Sequence, residues 1–297
     1  MDSEYIKSSL ECFNVRSLLL TMQAKQDIYF GNPYSQGDKW RGGFGQALRD
    51  LTCLTQSRSE DCNHCDKKAT CFYFLFFAID IPHPYIIAND LSITSTMQAG
   101  KIFTLQIKLI GFACNELDIV VKAFDKLGKL GIGAKRGRYE LISVQSTDIC
   151  LHDFFTSKPK IDTVVLQLDT PLKLKHDNGE LCYGDLNFAF FFNLLLKRII
   201  NLNNIYGSGR EFQKQAVETE KQALIAKAKE IQSKEATRWV DLVRYSSRQL
   251  KRHKIGGIIG SIVFTGMLNG FYPYLKIGEV LHAGLHTTSG FGRYRII

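Results

Sequence analysis

The sequence predicts an α+β protein made of two tandem ferredoxin-like domains. Three observations favour this fold class. The composition is that of a globular protein, with 45% hydrophobic and 23% charged residues in a chain of 297. Segments with strand and helix periodicity alternate along the chain. The order β-α-β-β-α-β, which defines the ferredoxin-like arrangement, occurs twice. We expect one domain over residues 1–155 and the other over residues 156–297.

The first domain contains four predicted strands and two predicted helices. The strands are CFNVRSLLLTM (12–22), FYFLFFAI (72–79), KIFTLQIKLIG (101–111) and GRYELISVQS (137–146). The helices are RGGFGQALRDLTC (41–53) and ELDIVVKAFDKLGKLG (116–131), whose apolar residues recur at helical spacing.

The second domain repeats this order without a repeat in sequence. Its predicted elements are a strand in DTVVLQLDTPLKLK (162–175) that breaks near Pro171, helices over 188–207 and 210–232, a short helix over 271–284 and a strand over 291–297. Between the helices, RWVDLVRYSSRQLKRH and GGIIGSIVFTGML are strand-like runs that can pair as a hairpin.

The charge and the apolar runs limit the partners and the compartment. The formal net charge of +9 suits a nucleic-acid partner, although many basic proteins bind no nucleic acid. The most apolar runs, 71–79 and 188–196, have about half the length of a membrane span, and the N-terminus lacks the pattern of a secretory signal. These features predict a soluble cytoplasmic protein.

Four of the eight cysteines form a cluster with metal-ligand spacing, C-x8-C-x2-C-x5-C, at Cys53, Cys62, Cys65 and Cys71. A C-x2-C pair presents two thiolates from one turn, and two flanking cysteines complete a tetrahedral shell. The polar segment between them is too poor in apolar residues to fold by burial alone. We therefore expect a structural zinc ion held by the loop 53–71. An iron–sulfur cluster and four unrelated free thiols are the alternatives.

The segment LHAGLHTTSGFGRY (281–294) has the composition of a phosphate-binding loop. Glycines let backbone N–H groups approach phosphate oxygens, and hydroxyls and an arginine add donors. The nucleotide-binding spacing G-x-x-x-x-G-K-[ST] is absent from the sequence, and GIGAKRG (131–137) lacks G-x-G-x-x-G. Nucleotide hydrolysis is therefore disfavoured.

Several of these motifs resemble one known family. GGIIGSIVFTG followed by FYPYLKIGEVLHAGLHTTSGFGRYRI is similar to the C-terminal half of CRISPR repeat-processing endoribonucleases of the RAMP superfamily, the Cas-six type. RYSSRQ (244–249), TPLKLK (170–175), R-G-x-x-G-x-A-L-R (41–49), GIGAKRGRYEL and the cysteine cluster ending in CFYFLF extend the resemblance over nearly the whole chain. The family has two ferredoxin-like domains. Its loop form is H-x-G-K-x-T-x-x-G-x-G-R-Y, and Leu285 stands where that form has lysine.

The resemblance implies metal-independent cleavage of precursor CRISPR RNA within its repeats. The 2′-hydroxyl would attack the adjacent phosphate, leaving a 2′,3′-cyclic phosphate and a 5′-hydroxyl. Histidine suits the proton transfers and arginine suits the charge of the phosphorane. The candidate catalytic residues are His282 as the first choice, His286 as its partner, Arg41, Arg49 and Tyr245. The alternative for each histidine is a structural side chain.

Basic and loop residues supply the expected RNA contacts. They are Lys135, Arg136, Arg138, Arg244, Arg248, Lys251, Arg252, Gly284, Thr287, Thr288, Ser289, Gly290, Gly292 and Arg293, the last seven of them in the loop 282–293. The expected partners are the precursor repeat and other subunits of CRISPR effector or adaptation complexes, with no membrane and no small-molecule substrate. A non-catalytic RNA-binding subunit of the same superfamily and a zinc-containing DNA-binding regulator are the competing hypotheses.

Overall fold

The computed structural model describes residues 4–11, 13–55, 62–156, 160–176, 186–207, 214–246 and 251–297, with the single residues 179 and 184. Up to residue 150 its helices and strands are α1 (Glu4–Ser9), β1 (Asn14–Ala24), β2 (Ile28–Tyr29), α2 (Gln36–Thr52), β3 (Tyr85–Asn89), β4 (Thr96–Met97), β5 (Ile102–Ile110), α3 (Leu117–Leu130) and β6 (Tyr139–Cys150). The rest are β7 (Thr163–Leu172), α4 (Phe188–Tyr206), α5 (Lys214–Ala228), β8 (Gln232–Val240), β9 (Val243–Ser246), β10 (Lys251–Lys254), β11 (Gly257–Thr265), α6 (Tyr272–Leu281) and β12 (Tyr294–Ile296).

The chain forms two compact units. The N-terminal unit is Arg16–Asp148, and the C-terminal unit combines Met1–Val15 with Ile149–Ile297. The first residues therefore lie with the C-terminal unit, whereas the sequence predicted them in a first domain over 1–155. Helix α1 explains this difference, because the N–H groups of Tyr5 and Ile6 donate to the Glu220 carboxylate of α5, at 3.0 and 3.1 Å.

The N-terminal unit has a ferredoxin-like arrangement. Its four-stranded sheet has the order β3-β5-β1-β6, so its strands and helices follow the chain as β1-α2-β3-β5-α3-β6. β3 and β5 pair antiparallel, with Tyr85 opposite Leu109. The two helices pack through aromatic side chains, and Phe44 of α2 stacks on Phe124 of α3 with ring centroids 4.8 Å apart. These rings form the centre of the core.

One predicted strand of this unit is wrong. FYFLFFAI (72–79) forms a short helical turn in which Phe74–Ala78 is a π-helix, and the strand of the sheet is β3, which the sequence did not predict. The turn buries Phe76 against Phe44, with ring centroids 6.1 Å apart. A short run that is apolar throughout does not distinguish a strand from a buried helical segment, because it has no clear period.

The C-terminal unit repeats the arrangement. Its sheet has the order β12-β7-β11-β8, and the chain runs β7-α4-α5-β8-β11-α6-β12. Helix α4 buries Phe188, Phe191 and Phe192, as the predicted apolar face requires. Strand β7 continues through Pro171, which the sequence predicted as a break, to Leu172. No helix within the described ranges has the length and apolar character to cross a membrane.

The predicted hairpin of this unit is present but divided. The first run contributes residues 238–240 to β8, which pairs antiparallel with β11 so that Arg238 lies opposite Ile259. Residues 243–246 and 251–253 of the same run lie in a separate two-stranded ribbon, β9 with β10, in which Tyr245 lies opposite Arg252. The polar break at Asp241 separates the two pairings.

Phe76→Ala is expected to destabilise the N-terminal unit by about 3–5 kcal/mol, because it removes a fully buried ring and leaves a cavity against α2. Denaturant titration of the full chain measures the change in the free energy of unfolding. Leu54→Ala, at a side chain that is 75% exposed, is the control and should change this free energy by no more than about 0.5 kcal/mol. Equal losses in the two variants would contradict the packing of the helical turn.

Candidate functional site

The C-terminal loop, residues 282–293, docks on the end of β7. The Leu285 N–H donates to the Lys173 carbonyl oxygen at 2.9 Å, and the Gly292 N–H donates to the Pro171 carbonyl oxygen at 3.0 Å. These bonds attach both arms of the loop to one strand end. The loop is therefore an ordered part of the C-terminal unit.

Left-handed backbone conformations make the turns of this loop. His282 and His286 have φ of 57° and 60°, and Gly292 has φ of 67°. A Cβ atom at Gly292 would overlap the Ala283 carbonyl oxygen, and the Ala283 N–H donates to the Gly292 carbonyl oxygen at 3.0 Å. Glycine is required at this position because the two arms of the loop touch there.

His282 lies inside the protein. Its side chain has no exposed surface, and its Nδ1 atom is 3.1 Å from the Phe291 carbonyl oxygen. A general acid or base must come within hydrogen-bond distance of the group that it protonates or deprotonates. In this conformation His282 presents no ring atom to RNA, so the arrangement favours the structural alternative over the catalytic role predicted for it.

Arg198 of α4 holds the start of the loop. Its Nε atom donates to the carbonyl oxygens of Leu281 and His282, both at 3.1 Å, and Nη2 donates to that of Leu281 at 2.9 Å. Burial lowers the pKa of Arg198 to about 10, which leaves the guanidinium charged at neutral pH. Arg198 was not among the predicted site residues, although its position within the apolar run LLLKRII was a signal in the sequence for a structural role.

His286 is the more accessible of the two histidines. It is partly exposed and follows the exposed Leu285, and its ring packs edge-on against Phe291 with centroids 5.8 Å apart. The contact with Phe291 fixes one side of the imidazole and leaves part of its surface open. His286 is thus the histidine of the loop that a bound RNA can approach.

The hydroxyl and amide groups of the loop are only partly available to a ligand. Thr287 and Ser289 are buried, whereas Thr288 is partly exposed. The N–H groups of Ser289 and Gly290 donate to the carbonyl oxygens of His286 and Thr287, at 3.0 and 2.9 Å. Much of the predicted phosphate-binding capacity is therefore used to stabilise the loop itself.

Two cations lie at the junction of the loop with β7. Arg293 forms an ion pair with Asp169, with Nε and Oδ2 3.7 Å apart, and Arg295 shares the same carboxylate at 3.0 Å.

Lys173, which was not among the predicted site residues, is largely buried. Burial, followed by the charge of Lys175, lowers the pKa of Lys173. The sequence motif TPLKLK (170–175), which contains Lys173, was the signal that could have identified this residue.

The predicted arginines of α2 lie in the N-terminal unit and have aromatic partners there. The Arg41 guanidinium lies 5.5 Å from the Phe77 ring centroid, and its Nη2 donates to His83 Nε2 at 3.3 Å. Arg49 lies 5.2 Å from the Tyr73 ring centroid. The structure thus links Arg41 to His83, a histidine that the sequence analysis did not consider.

The glycine-rich turn 131–137 presents the predicted basic residues to solvent. Lys135, Arg136 and Arg138 are exposed, and Lys135 Nζ lies 4.7 Å from the Tyr29 ring centroid. This turn is a basic surface of the N-terminal unit.

The other predicted RNA contacts belong to the β9–β10 ribbon or lie outside the described residues. The register places Lys251 opposite Ser246, and His253 opposite Arg244. In the same register, Tyr245 lies opposite Arg252. Arg248 falls outside the described residues.

The four predicted metal ligands lie together. Cys53, Cys62, Cys65 and Cys71 line one cavity of the N-terminal unit, and all four are half-buried. Arg49 lines the same cavity, which places this arginine beside the cysteines.

Gly292→Ala is expected to destabilise the C-terminal unit by at least about 1–3 kcal/mol, because alanine must adopt a positive φ and its Cβ meets the Ala283 carbonyl. Gly270→Ala is the matched control, since no atom lies within 4 Å of the added Cβ there. Thermal unfolding of both variants tests this. A Gly292→Ala variant as stable as Gly270→Ala would contradict the described closure of the loop.

The stability contributed by His83 is expected to depend on pH. Burial and then the charge of Arg41 lower the pKa of His83 from 6.5 to about 4. The unfolded chain therefore binds more protons between these values, and stability falls as the pH decreases from 6.5 towards 4, by up to about 3 kcal/mol.

Comparison of wild type with His83→Gln isolates this contribution. The free-energy difference between the two proteins should shrink as the pH is lowered from 6.5 to 4, whereas His64→Gln, at an exposed histidine of the same unit, retains the wild-type dependence. Denaturant titrations across this pH range provide the measurement. Parallel curves for wild type and His83→Gln would disprove the assignment.

Two family models match the chain. Residues 13–158 match a model described as an N-terminal domain, and residues 166–294 match the model described as CRISPR-associated endoribonuclease Cas6. The chain is also 24% identical over 312 residues to an uncharacterized protein of Archaeoglobus fulgidus, an alignment that covers 94% of this chain and 98% of that protein.

Solved structures share the fold over almost the whole chain. A Cas6 product complex has a TM-score of 0.62 at 10% identity, covering 95% of this chain and 100% of the other. Thermus thermophilus Cas6 has a TM-score of 0.57 at 11% identity, covering 96% and 99%. A Cas6-RT-Cas1–Cas2 complex contains a chain with a TM-score of 0.59 at 12% identity, covering 96% of this chain and 29% of that one. The chain has the fold of these Cas6 proteins, and residues 166–294, which contain the C-terminal loop, match the family model described as CRISPR-associated endoribonuclease Cas6.

Proposed function

We propose that this protein is an endoribonuclease that cleaves precursor CRISPR RNA within its repeats. The observation that carries the proposal is the match of residues 166–294 to the Cas6 endoribonuclease family, because this range contains the whole C-terminal loop. The net charge of +9 agrees with an RNA substrate, whose phosphates are bound by Lys and Arg.

The proposed reaction is an attack of the RNA 2′-hydroxyl on the adjacent phosphate. It breaks the bond to the 5′ oxygen and leaves a 2′,3′-cyclic phosphate and a 5′-hydroxyl, with no metal ion in the chemical step. The 2′-hydroxyl loses a proton and the departing 5′ oxygen gains one, so a side chain that transfers protons near neutral pH accelerates both events.

His286 is the side chain that we assign to proton transfer. It is partly exposed on an ordered loop, whereas His282, four residues earlier, is fully buried. Lys173 lies under the same loop, since its carbonyl oxygen accepts the hydrogen bond of Leu285. Its ammonium group is our candidate for stabilising the charge that develops on the phosphate.

Binding of the repeat would use the exposed basic surface of the N-terminal unit. Lys135, Arg136 and Arg138 project from a glycine-rich turn, and exposed cations of this kind contact phosphates without reading the sequence. An RNA stem offers phosphates and a shallow minor groove to such a surface. One Cas6 of this fold is described as a product complex, which supports RNA as the ligand class.

Complexes with other CRISPR proteins are a further part of the proposal. A chain of the same fold belongs to a complex described as Cas6-RT-Cas1–Cas2. We therefore include adaptation or effector subunits among the partners.

A non-catalytic RNA-binding subunit is the second candidate function. Two observations favour it: His282 is buried, and the exposed Leu285 stands where the resembling loop form has lysine. A loop with Leu285 in place of lysine and with His282 buried would still be able to bind RNA without cleaving it.

A cleavage assay with the host's repeat RNA in excess chelator tests the proposal. Wild type should cut within the repeat, and His286→Ala should reduce the rate by about 10²–10⁴-fold at unchanged RNA affinity. His152→Ala, at a partly exposed histidine of the same unit outside the loop, is the control and should cut at the wild-type rate. A 2′-deoxy substitution at the nucleotide that carries the attacking hydroxyl should abolish cutting.

The outcomes separate the candidates. Equal rates for wild type and His286→Ala would disprove the assignment of His286. Tight binding of the repeat by wild type with no cleavage would reject the endoribonuclease and support the RNA-holding subunit. Cutting that requires an added divalent ion would reject the metal-independent reaction.

A further inference from the structure

The segment between α2 and the helical turn at Phe74–Ala78 lacks a core of its own. Among its described residues, none from Cys53 to Cys71 belongs to the buried hydrophobic core, whereas Phe72 and Leu75 pack against that core and Phe76 lies in it. Leu54 is 75% exposed, and the residues from Asp66 to Thr70 are all exposed. Apolar burial therefore does not account for the fold of this segment, and another interaction must hold it.

The four cysteines of this segment converge on one cavity. Cys53 is the C-cap residue of α2, Cys62 begins the 3-10 turn Cys62–His64 and Cys65 follows that turn, and Cys71 follows a second 3-10 turn over Lys68–Thr70. The Cys65 N–H lies 3.4 Å from the Cys62 carbonyl oxygen, so the two thiols leave from adjacent points of the backbone. Three separate parts of the chain thus bring four thiols to the same space.

The four thiols lie close to one another, because all four cysteines line the same cavity. Four thiolates crowded without a cation would repel each other, and a divalent cation between them removes this repulsion.

The cavity also contains basic groups. Arg49 and Lys68 both line it, and Lys68 Nζ donates to the Asn63 carbonyl oxygen at 2.7 Å, which bridges the turn that carries the C-x2-C pair. One divalent ion with four thiolates has a net charge of −2. Two neighbouring cations offset this charge, so the surroundings suit a filled four-thiolate site.

We propose that these four cysteines, Cys53, Cys62, Cys65 and Cys71, bind one Zn²⁺ and that the ion joins the end of α2 to the described residues before the helical turn at Phe74–Ala78. Thiolate sulfurs in a tetrahedral set favour zinc over harder cations. Within the described residues, no three His, Cys, Asp or Glu side chains already have the spacing of a metal shell. Binding therefore includes a contraction of the thiols around the ion, which couples metal affinity to the stability of the N-terminal unit.

With four protein ligands the zinc has no open position for water or substrate. The site is structural and separate from the C-terminal loop, so its loss is expected to change the stability of the N-terminal unit and not the chemistry of RNA cleavage.

Metal analysis of the purified full-length chain tests the proposal without reference to RNA. One zinc per chain is expected by mass spectrometry of the metal content, and Co²⁺ added to the metal-free protein should give thiolate charge-transfer and tetrahedral d–d absorption bands. The double variant Cys62→Ser/Cys65→Ser should bind no zinc. Cys150→Ser, at an exposed cysteine outside the cluster, is the control and should retain one zinc.

Alkylation of the wild-type chain keeps the test decisive if the double variant does not fold. Zinc should protect the four cysteines from iodoacetamide, and a chelator should expose them, whereas Cys150 should react equally in both conditions. Absence of zinc together with absence of cobalt bands would overturn the proposal. An iron–sulfur chromophore in the purified chain would reject zinc and assign the cluster to these cysteines.

Discussion

The part-buried guanidinium of Arg198, with its carbonyl partners, forms the interaction on which the candidate site depends. An isolated charge in a protein interior costs several kcal/mol, and burial accordingly lowers the pKa of Arg198. Its partners are carbonyl oxygens at the C-terminal end of α6, where the helix dipole concentrates partial negative charge. The cation and the helix end therefore satisfy each other. Because the His282 carbonyl is also a partner, the same group fixes the residue from which the C-terminal loop departs.

This anchoring explains why two histidines four residues apart have different environments. At His282 the backbone is bound by Arg198 and the side chain turns into the core, towards the Phe291 carbonyl. The Leu285 N–H then donates to the Lys173 carbonyl oxygen at the end of β7, and the next residue, His286, is partly exposed. The glycines contribute first to this path, since Gly292 permits the contact between the two arms. The contact with phosphate that the sequence predicts for these glycines would be secondary to the closure of the loop.

The sequence predicted the elements that have a long, regular pattern and missed those set by tertiary contacts. Helices α3 and α4 follow from apolar periodicity over 14 and 19 residues. The segment 72–79 was misassigned because its apolar residues have no distinguishing period. The spacing of the C-terminal loop identified both histidines, but their relative burial depends on Arg198, more than 80 residues away. Likewise, the contact of α1 with Glu220 spans over 200 residues, and no local pattern reveals it.

The positive charges of the chain divide into two groups with different physical roles. Arg198 and Arg293 are held by carbonyl oxygens or a carboxylate, so they order the protein at the cost of availability to a ligand. Lys135, Arg136 and Arg138 are exposed and free to exchange counterions for phosphates. Affinity for RNA and precision of the reacting groups would therefore come from different residues. The net charge of the chain cannot distinguish these roles. An arginine that caps a helix and a lysine that contacts a phosphate each add one positive charge to it.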